Sequence, residues 1–192
     1  MLFRSGKLLS DGTFNVNFTI RLKNNRNVPL TNVAVKDDLT ATFKSPVSFK
    51  LNGFTVSGST LLKNASYDGK TTVDLLASGS TLGGNASDSI VIQMNVNPSG
   101  YSGDLLNTGR GTATSKWGPV SRESIDPSRS QVLYGPGLPT RFALPGVNLF
   151  IADVLTPNGD GYNDKWVIVK PGNYEVAVIV YNRWGQEVYK NR

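Results

Sequence analysis

The clearest alternation of apolar and polar positions begins at Phe14: Phe14, Val16, Phe18, Ile20 and Leu22 point one way, Asn15, Asn17, Thr19, Arg21 and Lys23 the other. A period of two over this length predicts a strand with one buried and one wet face. Asn24-Asn25-Arg26-Asn27 reads as a turn, because Asn tolerates left-handed backbone and bonds its own main chain. A second strand is expected over 30–35, ending at Asp37-Asp38. Val47, Phe49 and Leu51 alternate next, Asn52-Gly53 is a hairpin signal, and Phe54 and Val56 resume beyond it. Val73 and Leu75 mark another strand, and 79–87 is a polar loop. Ile90, Ile92, Met94 and Val96 then alternate against Val91, Gln93, Asn95 and Asn97, until Pro98, which cannot donate to a ladder, ends the run. A last strand is expected over 106–115.

About seven short strands with turns between them, and no helical periodicity, predict an all-β chain with an immunoglobulin-like β-sandwich over 1–128. No second copy of the pattern fits within the sequence. Pro136, Pro139 and Pro145, interleaved with Gly135, Gly137 and Gly146, predict an extended linker over 129–146, with Tyr134, Phe142 and Leu144 as residues able to pin it to a neighbour. Apolar runs at 147–151, 166–169 and 174–181, and a further one from Val188, predict a second, incomplete β-sandwich domain over 147–192.

Composition narrows the chemistry. Gly (20) and Pro (10) are plentiful and only 18% of residues are charged, which suits a turn-rich β protein. With no Cys and no His, disulfide frameworks, thiolate and zinc-finger sites, and catalysis by imidazole or thiol are excluded. The net charge of +6 permits acidic partners, yet the basic residues are scattered, so no nucleic-acid partner is expected. The N-terminus lacks an apolar stretch of leader length and reads as an internal segment. The longest apolar run, 176–181, is far too short to span a bilayer.

Two stretches carry the specific signals: Leu155-Thr156-Pro157-Asn158-Gly159-Asp160-Gly161-Tyr162-Asn163-Asp164-Lys165-Trp166, and Tyr181-Asn182-Arg183-Trp184-Gly185. Tight turns at Gly159 and Gly161 can converge the side-chain oxygens of Asn158, Asp160 and Asp164 with the Tyr162 carbonyl, an arrangement suited to a hard cation such as Ca2+. The other reading is an Asx-rich turn that caps its own backbone. An EF-hand is excluded, since its bidentate Glu would fall on Val169. Arg183, between Tyr181 and Trp184, is either a docking feature or a guanidinium stacked on indole. Asp37-Asp38 reads as a turn at a strand end, not as a catalytic pair. The sequons at Asn17, Asn64 and Asn85 matter only in a eukaryotic secretory route.

Two resemblances follow from these residues. "KNNRNVPLTNV" leading into "VKDDL", then "LASGS", "IVIQMNV" and "LNT", resemble the β-sandwich repeat of large bacterial surface proteins. "TPNGDGYNDKW" followed by "YNRWG" is similar to the gliding motility-associated C-terminal domain, the type B sorting signal of type IX secretion. On that resemblance, Pro157, Asn158, Gly159, Asp160, Gly161, Asn163, Asp164, Asn182, Arg183, Trp184 and Gly185 are the sorting and recognition residues. The family continues through further strands beyond the second motif, so 147–192 corresponds to its N-terminal part, and another chain is a candidate to complete the sheet.

The resemblance implies a cargo of the type IX secretion machinery, secreted from or held on the outer surface of a Gram-negative bacterium. The expected function is a non-enzymatic surface fragment: a spacer or adhesin module joined to a sorting signal. The alternative is an adhesion module, stabilised by calcium, that binds a glycan or another surface protein through loops near Trp117 or Tyr101. An enzyme is not expected, because the chemistry left open, a carboxylate-based glycosidase, requires two carboxyls facing each other across a cleft.

Overall fold

The strands expected at 14–23 and around 90–96 pair with each other and form the centre of the molecule. The computed structural model describes residues 2–9, 11–126, 137–144, 150–151, 155–162, 164–166, 168–169 and 177–191. In chain order the elements are β1 (Leu2–Leu8), β2 (Phe14–Lys23), β3 (Thr31–Lys36), α1 (Leu39–Thr42), β4 (Ser48–Val56), β5 (Ser87–Asn97), β6 (Gly103–Asn107) and β7 (Arg110–Ser115). They continue as β8 (Gly118–Glu123), β9 (Thr140–Leu144), β10 (Phe150–Ile151), β11 (Ile168–Val169), β12 (Val178–Tyr181) and β13 (Glu187–Asn191). One antiparallel sheet has the order β1-β2-β5-β4; against it lie the sheet β3-β7-β8 and the ladder β6-β9.

The two layers share one core. The inward positions of β2 and β5 meet Val33 and Val35 of β3, Leu105 of β6, Ala113 of β7, and Phe142 and Leu144 of β9. Phe142 makes edge contacts with both Phe14 and Phe18, at centroid distances of 6.4 and 6.5 Å. Phe18 stacks on Phe43 at 6.1 Å, so a single wholly buried ring ties β2 to the segment after α1 and to β9. Aromatic pairs of this kind add about 0.5–1.5 kcal/mol to the apolar burial itself. The described residues as far as Leu144 form the all-β, immunoglobulin-like sandwich that the alternation predicts, while β10-β11 and β12-β13 are separate two-stranded ladders.

Several local expectations are corrected. Asn52-Gly53 is not a hairpin: β4 passes straight through it and pairs with β5 on both sides, with a register shift between Leu51 and Gly53. The Asn-Gly dipeptide is used here for a bulge, where Gly53 takes φ +149. The strand expected over 106–115 is two strands, because the chain leaves the β6-β9 ladder and enters the β3-β7-β8 sheet at Thr108-Gly109. Val73 and Leu75 lie in no strand; the neighbouring contacts are single bridges, Lys36 to Asp74 and Lys63 to Leu76. The connection 57–86 instead buries Leu61, Tyr67, Leu75, Leu76 and Leu82 in the common core. One helical turn, α1, also forms where none is expected, with Asp38 as its N-cap accepting from the Thr40 N–H at 2.9 Å. Finally, the expected linker supplies β9, whose Phe142 and Leu144 are core residues. The rest of the proposed boundary, Tyr134 included, lies outside the described residues.

Asp37, paired with Asp38 only in sequence, is wholly buried. Its Oδ2 accepts from Asn107 Nδ2 at 2.9 Å, and Asn107 Oδ1 in turn accepts from the Thr42 hydroxyl at 2.7 Å. Oδ1 has no hydrogen-bond partner among the described residues. Loss of hydration at this position pushes the carboxyl up from 3.8 to about 7, with the Asn107 bond opposing and the Asp38 charge adding to the rise. The proton therefore stays on in the folded state where the unfolded chain has lost it. Stability from this group is full below pH 3.8 and falls as pH rises through about 7.

Two outcomes are expected. Phe142→Ala should cost roughly 3–5 kcal/mol in chemical denaturation, whereas a linker residue would cost almost nothing. Thermal stability of the wild type should decline on going from pH 5 to 8 in a way that Asp37→Asn flattens; a slope unchanged by the substitution would locate the pH dependence elsewhere.

Candidate functional site

The first motif folds into a closed turn held by its own side chains. Pro157 opens it, and Gly159 (φ +79) and Gly161 (φ +87) supply the left-handed backbone that reverses it. Asp164 is the hub. Its Oδ1 accepts from the Asn158 N–H (3.0 Å) and the Gly159 N–H (2.7 Å), and its Oδ2 accepts from the Gly161 N–H (2.7 Å). Asp160 accepts from the Tyr162 N–H through Oδ1 (2.8 Å) and from the Asn158 amide through Oδ2 (2.8 Å). Asn158 Oδ1 accepts from the Asp160 N–H (3.2 Å), and the Thr156 hydroxyl donates to the Tyr162 carbonyl (3.3 Å).

These bonds lower both carboxyls below their ordinary value of 3.8: Asp164 chiefly through the Gly159 and Gly161 N–H groups, Asp160 chiefly through the Tyr162 N–H and then the Asn158 amide. Asn158, Asp160, Tyr162 and Asp164 thus do come together as the spacing predicts. Their convergence is on backbone donors. Successive N–H groups aimed at one point make a concavity that holds an anion, and the Asp164 carboxylate is that anion. A cation would have to draw Asp164 and Asp160 away from five N–H contacts, so the donor set fits the self-capped turn better than a calcium site. Asn163 lies outside the described residues.

The second motif is the tip of the β12–β13 hairpin. Asn182 Oδ1 accepts from the Trp184 and Gln186 N–H groups, both at 3.0 Å, and the Asn182 carbonyl accepts from the Gly185 N–H at 2.9 Å. Gly185 takes φ +79, as this reversal requires. Arg183 lies over the Trp184 ring, 4.5 Å from its centroid, while that ring is 73% exposed. The stack exists, and it is presented at the surface. Ile179, Tyr181, Val188 and Tyr189 on the hairpin strands are exposed as well.

Elsewhere, Trp117 is exposed at the turn between β7 and β8 with the Lys116 ammonium over its ring at 4.5 Å, whereas Tyr101 is half-buried against the core. No helix among the described residues is long and apolar enough to cross a membrane. The sequence reading missed the Asp37–Asn107–Thr42 chain. Its signal is faint, since a strand-end Asp beside a second Asp looks like turn chemistry until Asn107 is known to face it.

Residues 149–192 match the family model of the CHU_C Type IX secretion signal domain. No curated protein sequence matches the chain. Among solved structures, the chain is similar to domains D2 and D3 of the major pilin SpaD from Corynebacterium diphtheriae, with 12% identity, a TM-score of 0.36, and coverage of 65% of this chain and 50% of that one. It is also similar to ACE19, the collagen binding subdomain of the Enterococcus faecalis surface protein ACE, with 12% identity, a TM-score of 0.32, and coverage of 64% and 92%. The chain therefore spans half the length of the pilin structure it matches.

The turn yields a direct test. Because the Asp164 carboxyl is held low, its bonds to Gly159 and Gly161 persist above the ordinary value of 3.8 and are lost only as pH falls beneath it. The Gly159 and Gly161 amide resonances should titrate together with a midpoint below 3.8, and Asp164→Ala should abolish the transition and speed their hydrogen exchange. Movement of the same amides on adding calcium would instead support the cation reading.

Proposed function

We propose that the chain is a non-enzymatic module of the bacterial cell surface, exported by the type IX machinery through residues 149–192 and displaying the β-sandwich as spacer or adhesin. The match over 149–192 carries this reading. The geometry supports it in two ways. The matched segment presents a turn that Asp164 caps through the Asn158, Gly159 and Gly161 N–H groups and an exposed Arg183–Trp184 pair at a hairpin tip, both shaped by their own local hydrogen bonds. The buried carboxyls of the sandwich among the described residues, Asp37 and Asp126, are closed off from solvent instead of facing each other across a cleft.

In this reading Asp164 and Asn182 shape the two turns, while Arg183 and Trp184 are the groups the machinery touches. Exposed Trp and Arg side chains are the types that most often anchor protein interfaces. The exposure of Trp117 favours a second reading alongside it, in which the displayed sandwich also binds a ligand.

The test is export of a reporter. Joined ahead of the chain and delivered to the periplasm of a bacterium with a working type IX system, the reporter should reach the surface or the medium. Replacing Arg183 and Trp184 together by Ala should leave most of it in the periplasm with the sandwich still folded. Equal export of a version lacking 149–192 would overturn the assignment.

A further inference from the structure

On the outward face of the four-stranded sheet, the strand positions of β2, β5 and β4 together with Lys7 of β1 carry cations and no acid, with carboxylates at its two ends only, Asp11 beside Thr13 and Asp88 at the Arg21 end. Register places Lys7, Asn15, Asn95 and Lys50 in a single row across the strands. Farther along, Arg21 stands beside Ser89, and Lys23 beside Ser87. The rows between consist of Ser5, Asn17, Gln93 and Gly53, then Phe3, Thr19, Val91 and Thr55. No Asp or Glu occupies an outward position of β2, β4 or β5. Asp88 shares the inward parity of its partner Leu22, and its carboxylate rests against Gly58, where an added Cβ would come within 2.5 Å of it.

This is not scarcity, since the chain has 14 acidic residues. A face kept wet only for solubility mixes both signs, whereas a single-sign face concentrates partners of the opposite charge. The cations also lie at two ends of a carpet of amides and hydroxyls. Lys7 and Lys50 are three strand spacings apart, about 14 Å, and their row is about 20 Å from Arg21 along β2. At the Arg21 end the surface sinks into a depression of about 350 Å³ lined by Thr19, Arg21, Ser57, Ser87, Asp88 and Ser89. There Arg21 Nε donates to the Ser87 hydroxyl at 3.1 Å, and the Ser57 and Ser89 hydroxyls meet at 3.1 Å.

We infer that this face binds an acidic polysaccharide, its carboxylates paired with the lysines and Arg21 and its hydroxyls with the Asn, Gln, Ser and Thr side chains between them. Charge complementarity selects an anion, and the intervening groups select one rich in hydroxyls. A single-stranded nucleic acid would need successive aromatic platforms for its bases, and by register the outward rows of this sheet hold a single aromatic position, Phe3 of β1. A membrane would need a broad apolar surface to bury, and by register these rows offer two apolar positions, Phe3 and Val91. The inference concerns the sandwich and does not depend on the route of export.

The experiment is calorimetric titration of the whole chain with polygalacturonate at low salt. Binding is expected, weakening as salt is added. Lys7→Glu with Lys50→Glu, and separately Arg21→Glu with Lys23→Glu, should each weaken it by at least about tenfold, while Arg122→Glu on β8 of the other layer leaves it unchanged. Should a Glu variant fail to fold, the matching Gln variants should show the same order of effects. Absence of binding, equal binding of neutral dextran, insensitivity to both charge reversals, or tighter binding of DNA or of anionic phospholipid vesicles would each overturn the inference.

Discussion

The register between β2 and β5 is the constraint from which the rest follows. It runs unbroken from Phe14 opposite Val96 to Lys23 opposite Ser87. Because side chains alternate with period two, a slip of one residue would turn Phe18, Ile92 and their neighbours out to water and bring Arg21 and Gln93 in. Burying several large apolar groups at roughly 1.5–3 kcal/mol each makes that slip prohibitive. The core thus fixes the register, and the register fixes the polar outer face equally firmly. The cations of that face hold their spacing although none of them contributes to packing.

This division explains what could be read directly from the residues. The strands at 14–23 and 87–97 were legible because each has one dry and one wet face, the condition under which alternation is sharpest. Asn52-Gly53 misled because the dipeptide reports only a local backbone freedom, which a bulge uses as readily as a hairpin. β9 was hidden by its Pro and Gly neighbours, and only the partner strand β6, far back in the chain, reveals that Phe142 and Leu144 belong to the core. Asp37 was hidden for a similar reason: its burial depends on Asn107, and no pattern within reach of position 37 announces it.

The candidate site was legible in its residues and ambiguous in its chemistry. The spacing of Asn158, Asp160 and Asp164 does bring their oxygens together. Whether such oxygens face a cation or the backbone depends on where the N–H groups of Gly159 and Gly161 point, and left-handed glycines turn them inward onto Asp164. The hairpin tip was ambiguous in a different sense, because stacking and docking were posed as alternatives. The Arg183–Trp184 stack pre-orders a surface pair, so the same contact serves both.

The hydrogen bonds that shape the two turns span at most six residues of sequence. Closing loops that short takes about 10–100 ns and needs no distant strand to be in place. The sandwich is the opposite case, since its central β2–β5 ladder joins positions as distant as Phe14 and Val96, and Lys23 and Ser87, and must wait for slow, long-range pairing. Shape in the matched segment is consequently decoupled in time from shape in the sandwich: the turns acquire their form on their own schedule, whatever the folding state of the domain that precedes them.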